Sequence, residues 1–148
     1  MEQRHEISDD LRKRILEARS IAIWPIDENP LSDSAQTARF FLDRDWMVYP
    51  IHDQCERVLD EKCYRDIRLI PDDYDILLLF MYPEQLPEAV NAIFNADFQP
   101  PIVWSHTGIF DQLSFDRLTD SGILTIMDSD LMEIYKELLE ERSQVQGE

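Results

Sequence analysis

Asp27, Glu28, Asp33, His52, Asp53, His106, Asp128 and Asp130 carry most of the chemistry this chain has to offer, and each follows shortly after an apolar run. Carboxylates and imidazoles converging on one cleft can hold a divalent cation, with oxygen ligands favouring Mg²⁺ or Mn²⁺. Asp27, His52, Asp53, His106 and Asp130 are the candidates for such a site. The same groups would equally attract a cationic small molecule or a basic patch on a protein. Their spacing matches no compact metal motif, however. Aspartate is also common in loops simply because it caps helices and closes turns. Histidine is the residue type that titrates near neutrality, and His52 and His106 therefore invite an acid–base reading. No Gly-x-Ser-x-Gly elbow accompanies them, so the expectation is a protein that is not an enzyme.

Cys55 and Cys63 lie eight positions apart and form no CxxC pair. Without further Cys or His nearby they make no structural zinc site. Two cysteines are too few for a disulfide-stapled secreted domain, which points to a reducing cytoplasm. The first residues, MEQRHEISDDLRKR, contain no apolar run and do not read as a signal peptide. No stretch approaches the length of a membrane span.

The elements that must position these residues alternate along the chain. Hydrophobic residues make up 44% of the 148, enough for the core of one domain. Ser8 can cap a first helix over about residues 8–18, with Ile7, Leu11, Ile15 and Leu16 on one side. Residues 21–24 form a strand stopped by Pro25. Asp33 or Ser34 can cap a helix burying Ala35, Ala38, Phe41 and Leu42, and residues 46–49 form the second strand. Residues 53–73 read as a short helix, a short edge strand near 62–64, and a turn at 71–73. Residues 75–80 are continuously apolar, the mark of a central strand covered on both faces.

Pro83 opens a helix carrying Leu86, Val90, Ile93 and Phe94, and residues 102–104 form the next strand. A helix from Gly108 to Ser121 is closed by Gly122. A last strand at 123–127 precedes a final helix with Leu131, Ile134, Tyr135, Leu138 and Leu139 on one face. Residues 143–148 read as a polar tail. Alternation of this kind predicts a single α/β domain spanning residues 1–148. Its parallel sheet has five or six strands, in order 3-2-1-4-5-6, with helices on both faces. Residues 21–24, 75–80 and 102–104 should be neighbours in it. Ligands of such sheets bind outside the carboxyl ends of the strands, where all eight polar residues fall. Net charge is −17, from 14 basic and 31 acidic residues, which excludes nucleic acid and anionic membranes as natural partners.

The loops at those strand ends resemble the stand-alone CoA-binding proteins. These are Rossmann-like domains related to the CoA-binding domain of the succinyl-CoA synthetase α subunit. The resemblance runs from Ser20 to Leu139. It rests on Ile21, Ala22 and Ile23, on Asn29-Pro30, Ser34 and Pro50, on Lys62-Cys63-Tyr64 and on Ile70-Pro71. Asp75, Phe80, Pro83-Glu84, Val103-Trp104, Gly108-Ile109 and Met127-Asp128 complete it. It implies non-catalytic binding of CoA or an acyl-CoA. The implied site positions are Pro25, Ile26, Asp27, Asn29, Pro30, Ser32, Ser34, His52, Asp53, Met81, His106 and Gly108. A protein partner or a homodimer is also compatible with it, whereas synthetase chemistry would need a second domain. Cys63 aligns with a family cysteine and reads as packing.

Several of these positions depart from the family. Pro25, Ile26 and Asp27 stand where the family has a glycine, a small residue and a serine facing the CoA pyrophosphate. Ser32 and Met81 replace arginines, and His52-Asp53 replaces a second Asn-Pro. His106 replaces a glutamine and Asp130 a cysteine. Each cation lost removes a charge-assisted contact of roughly 1.5–3 kcal/mol, and Asp27 and Glu28 add repulsion. The expectation is a degenerate pyrophosphate cradle that binds CoA weakly or not at all. The alternative is a repurposed acidic cleft for a cation, metal or protein.

Overall fold

The computed structural model describes residues 7–146. Helix α1 (Asp9–Glu17) is capped by Ser8, whose hydroxyl accepts from the amide of Leu11, and Leu11 and Ile15 are buried. Five parallel strands follow: β1 (Ser20–Trp24), β2 (Met47–Pro50), β5 (Ile76–Leu79), β6 (Ile102–Ser105) and β7 (Leu124–Ile126). Their order across the sheet is β2-β1-β5-β6-β7. Ile21 pairs with Ile76, and Ile76 with Ile102, so the three most apolar runs are central neighbours as expected.

Each strand sends alternate residues to opposite faces. Ile21, Ile23, Val48, Ile76, Leu78 and Trp104 pack beneath α1, α2 (Asp33–Leu42) and α5 (Leu131–Gln146). Ala22, Tyr49, Leu77, Leu79 and Val103 pack beneath α3 (Leu86–Asn95) and α4 (Gln112–Asp120). All four residues of β5 are buried, because helices cover both faces at the centre of the sheet. Phe41, Trp46 and Tyr135 form an aromatic cluster on the first face, with centroids 4.3 to 5.6 Å apart. At the amino end, the Asp75 carboxylate accepts from the amides of Arg19 (2.7 Å) and Ser20 (3.2 Å), fixing the register of β1 against β5.

Residues 53–73 depart from expectation. No α-helix forms there. Strands β3 (Arg57–Val58) and β4 (Glu61–Lys62) make an antiparallel hairpin, and a 3-10 turn spans Ile67–Leu69. The hairpin turn places Leu59 and Asp60 at φ 53° and 64°. Two consecutive positive φ values match the tight twist of a two-residue hairpin, which usually takes Asn-Gly. Leu59 accepts this conformation while packing against the core, so burial outweighs local preference. The expected edge strand pairs with the sheet only at Tyr64, which bridges Ile51 in parallel, donates its amide to the Pro50 carbonyl and accepts from the His52 amide. Replacing Asp60→Gly should relieve the left-handed residue and stabilise the protein by about 0.5–1 kcal/mol. The check is the midpoint of urea unfolding; an unchanged or lower midpoint contradicts this account.

Three helix ends also differ. Ser32, not Asp33 or Ser34, caps α2, because its hydroxyl accepts from the Ala35 amide at 3.2 Å. Helix α4 starts only at Gln112, capped by Asp111, since Gly108 sits in a loop at φ 85°. Helix α5 continues through Ser143 to Gln146, where a polar tail was expected, as no residue in that stretch breaks a helix. Residues 147 and 148 lie outside the described residues. Gly122 ends α4 at φ 88°, as its position predicted.

Candidate functional site

The segments that follow the five parallel strands line the carboxyl end of the sheet. Two adjoining cavities open there and share Pro25 and His52. One, of about 500 Å³, is lined by Pro25, Ile26, Asp27, Ser32, Asp33, Ser34, His52 and Phe80. The other, of about 520 Å³, is lined by Trp24, Pro25, His52, Asp53, Arg65, Met81, Gln85, Glu88, Ala89 and Ala92.

The β1–α2 turn is satisfied from within. Pro25, after a cis peptide bond, has no N–H to offer. Ile26 is buried and donates its amide to the Ile51 carbonyl at 2.9 Å. Asp27 donates its amide to the Ser34 hydroxyl at 2.9 Å, which holds the loop against the first turn of α2. The Asp27 carboxylate accepts from Asn29 N (2.9 Å), and the Asn29 side chain accepts from Leu31 N (3.0 Å). Pro30 turns the chain between these two Asx-type bonds. Ser32 donates its hydroxyl to the Asp27 carbonyl at 3.2 Å. The side chains that aspartate and serine would show to a ligand are therefore spent on shaping the loop.

His106 is largely buried, stacked on Phe80 with centroids 4.6 Å apart, and its Nε2 lies 3.3 Å from the Asp33 carboxylate. This contact draws the β1–α2 and β6–α4 loops together. His52 behaves differently. Its Nδ1 accepts from the amides of Gln54 and Cys55, each at 3.0 Å. The Nδ1 lone pair is thus turned to the backbone of its own loop. The Asp53 carboxylate lies 3.7 Å from the same Nδ1, farther than either amide.

Gly108 donates its amide to the Asp128 carboxylate at 2.6 Å, latching the loop after β6 to the loop after β7. Asp130 begins α5, its carboxylate accepting from Glu133 N at 3.2 Å. The metal candidates are thus separated in role. Asp27 closes a turn, Asp130 caps a helix, and His52 turns its lone pair to the backbone. Among the described residues no three His, Cys, Asp or Glu side chains gather as a metal-binding group. Asn29, Pro30, His106, Gly108 and Asp130 lie outside both cavity linings. Arg65, Gln85 and Glu88 line the second without having been singled out in the sequence, and Phe80, named there only for the resemblance, lines the first. Arg65 reaches the second cavity only because Tyr64 bridges Ile51 beside it.

Cys55 and Cys63 are free and buried. Burial first, and then the neighbouring Cys55 thiol, push the Cys63 thiol up to about 12. The thiolate is the reactive form, so Cys63 is inert at neutral pH. Both thiols should react with a disulfide reagent at pH 8 only on unfolding. Rapid modification of the native protein would show that the hairpin opens.

A doubly covered parallel sheet with its loops converging at the carboxyl edge defines a Rossmann-like α/β domain. The sequence model of the CoA binding domain family matches residues 19–136, and the chain belongs to that family. The uncharacterized protein YneT of Bacillus subtilis (strain 168) is 21% identical over 119 residues, 80% of this chain and 87% of that protein. Prb, a protein redesigned for binding, superposes with a TM-score of 0.81 at 23% identity, covering 88% of this chain and 91% of its own. A hypothetical protein from Pyrococcus horikoshii OT3 gives 0.77 at 22% identity, with 94% and 99% covered. No helix among the described residues is long and apolar enough to cross a membrane.

Proposed function

We propose that this chain is a non-catalytic member of the CoA-binding domain family in which the pyrophosphate cradle is degenerate, so that CoA is held weakly or not at all. One observation carries the reading: at Pro25, Ile26 and Asp27 the turn has no amide left to donate. Proline has none, Ile51 takes the second and Ser34 the third. A diphosphate would have to break those bonds, leaving the Ile51 carbonyl or the Ser34 hydroxyl without its donor. The first-turn amides of Asp33 and Ser34 remain for an anion, but the carboxylates of Asp27 and Asp33 flank them and oppose its charge. The non-catalytic reading draws on the histidines: one accepts from two backbone amides of its own loop, and the other lies against the Asp33 carboxylate. Two free, buried cysteines fit a reducing cytoplasm.

Titration calorimetry and thermal shift with millimolar CoA and acetyl-CoA test the reading. Ligand at a hundredfold excess over its dissociation constant adds about 2.7 kcal/mol of stability. The expected result is little or no shift. Stoichiometric CoA retained by the purified protein would overturn it.

A further inference from the structure

Of the six large apolar side chains that the described residues expose, four stand on the carboxyl-end rim: Leu31 (79% exposed), Tyr82 (76%), Leu113 (67%) and Phe110 (40%). They come from the segments after β1, β5 and β6. Single exposed apolar residues are ordinary, but several on one edge mark an interaction surface. Charge says what kind. The segments after the five parallel strands (25–33, 51–56, 80–85, 106–113 and 127–131) each contain a carboxylate, and none contains Lys or Arg. Among the described residues the basic side chains lie on the helices, the hairpin and the opposite end of the sheet, apart from Arg65 and Arg68 on the segment between the hairpin and β5. Arg65 lines the second cavity, beyond His52. Walls of a single charge sign focus a field that recruits and orients an opposite charge.

We propose that this rim docks a basic segment of a partner protein that also carries apolar side chains. Its Lys or Arg would face Glu28 and Glu84, and its apolar residues would cover Leu31, Tyr82 and Leu113. The proposal rests on the reading that CoA does not fill the cleft. A second copy of this chain is the wrong occupant, because two such rims, each with nine carboxylates in these segments against Arg65, repel each other. Exposed apolar area with surrounding charge of one sign fits a short amphipathic segment better than a small ion, which would leave the apolar side chains uncovered.

The test measures binding of a labelled amphipathic Lys/Leu peptide by fluorescence anisotropy. A Lys-only peptide of equal charge and spermidine serve as comparisons. The Lys/Leu peptide should bind tightest. Leu31→Ser with Tyr82→Ser and Leu113→Ser should weaken it at least about tenfold. Met47→Ser with Leu69→Ser, both also exposed but off the rim, should change it less than about twofold. Glu28→Gln with Glu84→Gln should weaken binding and flatten its salt dependence, unlike Glu140→Gln with Glu141→Gln. Should the triple variant fail to fold, its single substitutions are read instead. Equal loss from rim and off-rim sets, absence of binding, or Lys-only peptide or spermidine binding as tightly as Lys/Leu would each overturn the proposal. A CoA thermal shift run in parallel keeps the two readings apart. CoA that stabilises the protein refutes the degenerate cradle, whereas a lost rim dependence refutes only the docking surface.

Discussion

A variant carrying Pro25→Gly, Asp27→Ser and Met81→Arg is expected to bind CoA at least ten- to a hundredfold more tightly than the unmodified protein. Pro25→Gly would restore an amide to the turn, and Asp27→Ser would remove the carboxylate nearest the opened site. The gain is anchored by one charge-assisted contact, roughly 1.5–3 kcal/mol. An arginine side chain has room there, since Met81 lines the second cavity together with Asp53 and Glu88. Ser32 should be left in place even though the family carries arginine there. It caps α2, and losing that cap costs about 1 kcal/mol. Calorimetric titration with CoA checks the prediction. An affinity unchanged in the triple variant, with the fold intact by circular dichroism, would mean that the turn and Met81 are not what limits CoA binding.

Trp104→Ala should destabilise the domain by about 3–5 kcal/mol, the largest loss expected from any single side chain here. Trp104 is fully buried in a central strand. Its indole N–H also donates to the Ser129 carbonyl at 2.9 Å, tying the core to the rim loop before α5. Trp104→Phe keeps an aromatic filling but orphans that carbonyl, so a smaller loss of about 1–2 kcal/mol is expected. Urea unfolding of both variants separates cavity from hydrogen bond. Equal losses would indicate that the hydrogen bond contributes nothing beyond packing.

The legible parts of the sequence are those governed by local pattern. The continuous apolar run at 75–80, the short runs at 21–24 and 102–104, and the helical spacing of Leu86, Val90 and Ile93 each translate directly into buried faces. The Leu59-Asp60 turn carries no glycine or asparagine, so nothing local announces the hairpin, and Leu59 is held there by the core it touches. Arg65 carries no signal in its own neighbourhood and enters a cavity wall through the Tyr64–Ile51 bridge.

The site divides in the same way. Residue types alone determined that the β1–α2 turn has no glycine and that carboxylates crowd the segments after the strands, because charge and the missing proline N–H are properties of the residues themselves. Only the tertiary structure decided how each polar group is used. Asp33 meets His106 across two loops, Gly108 donates to Asp128 twenty residues away, and His52 turns Nδ1 to the backbone. Hydrogen bonds are satisfied by whatever the fold brings within about 3 Å. For loop residues that partner is set by the crossing of distant strands, which no local spacing records.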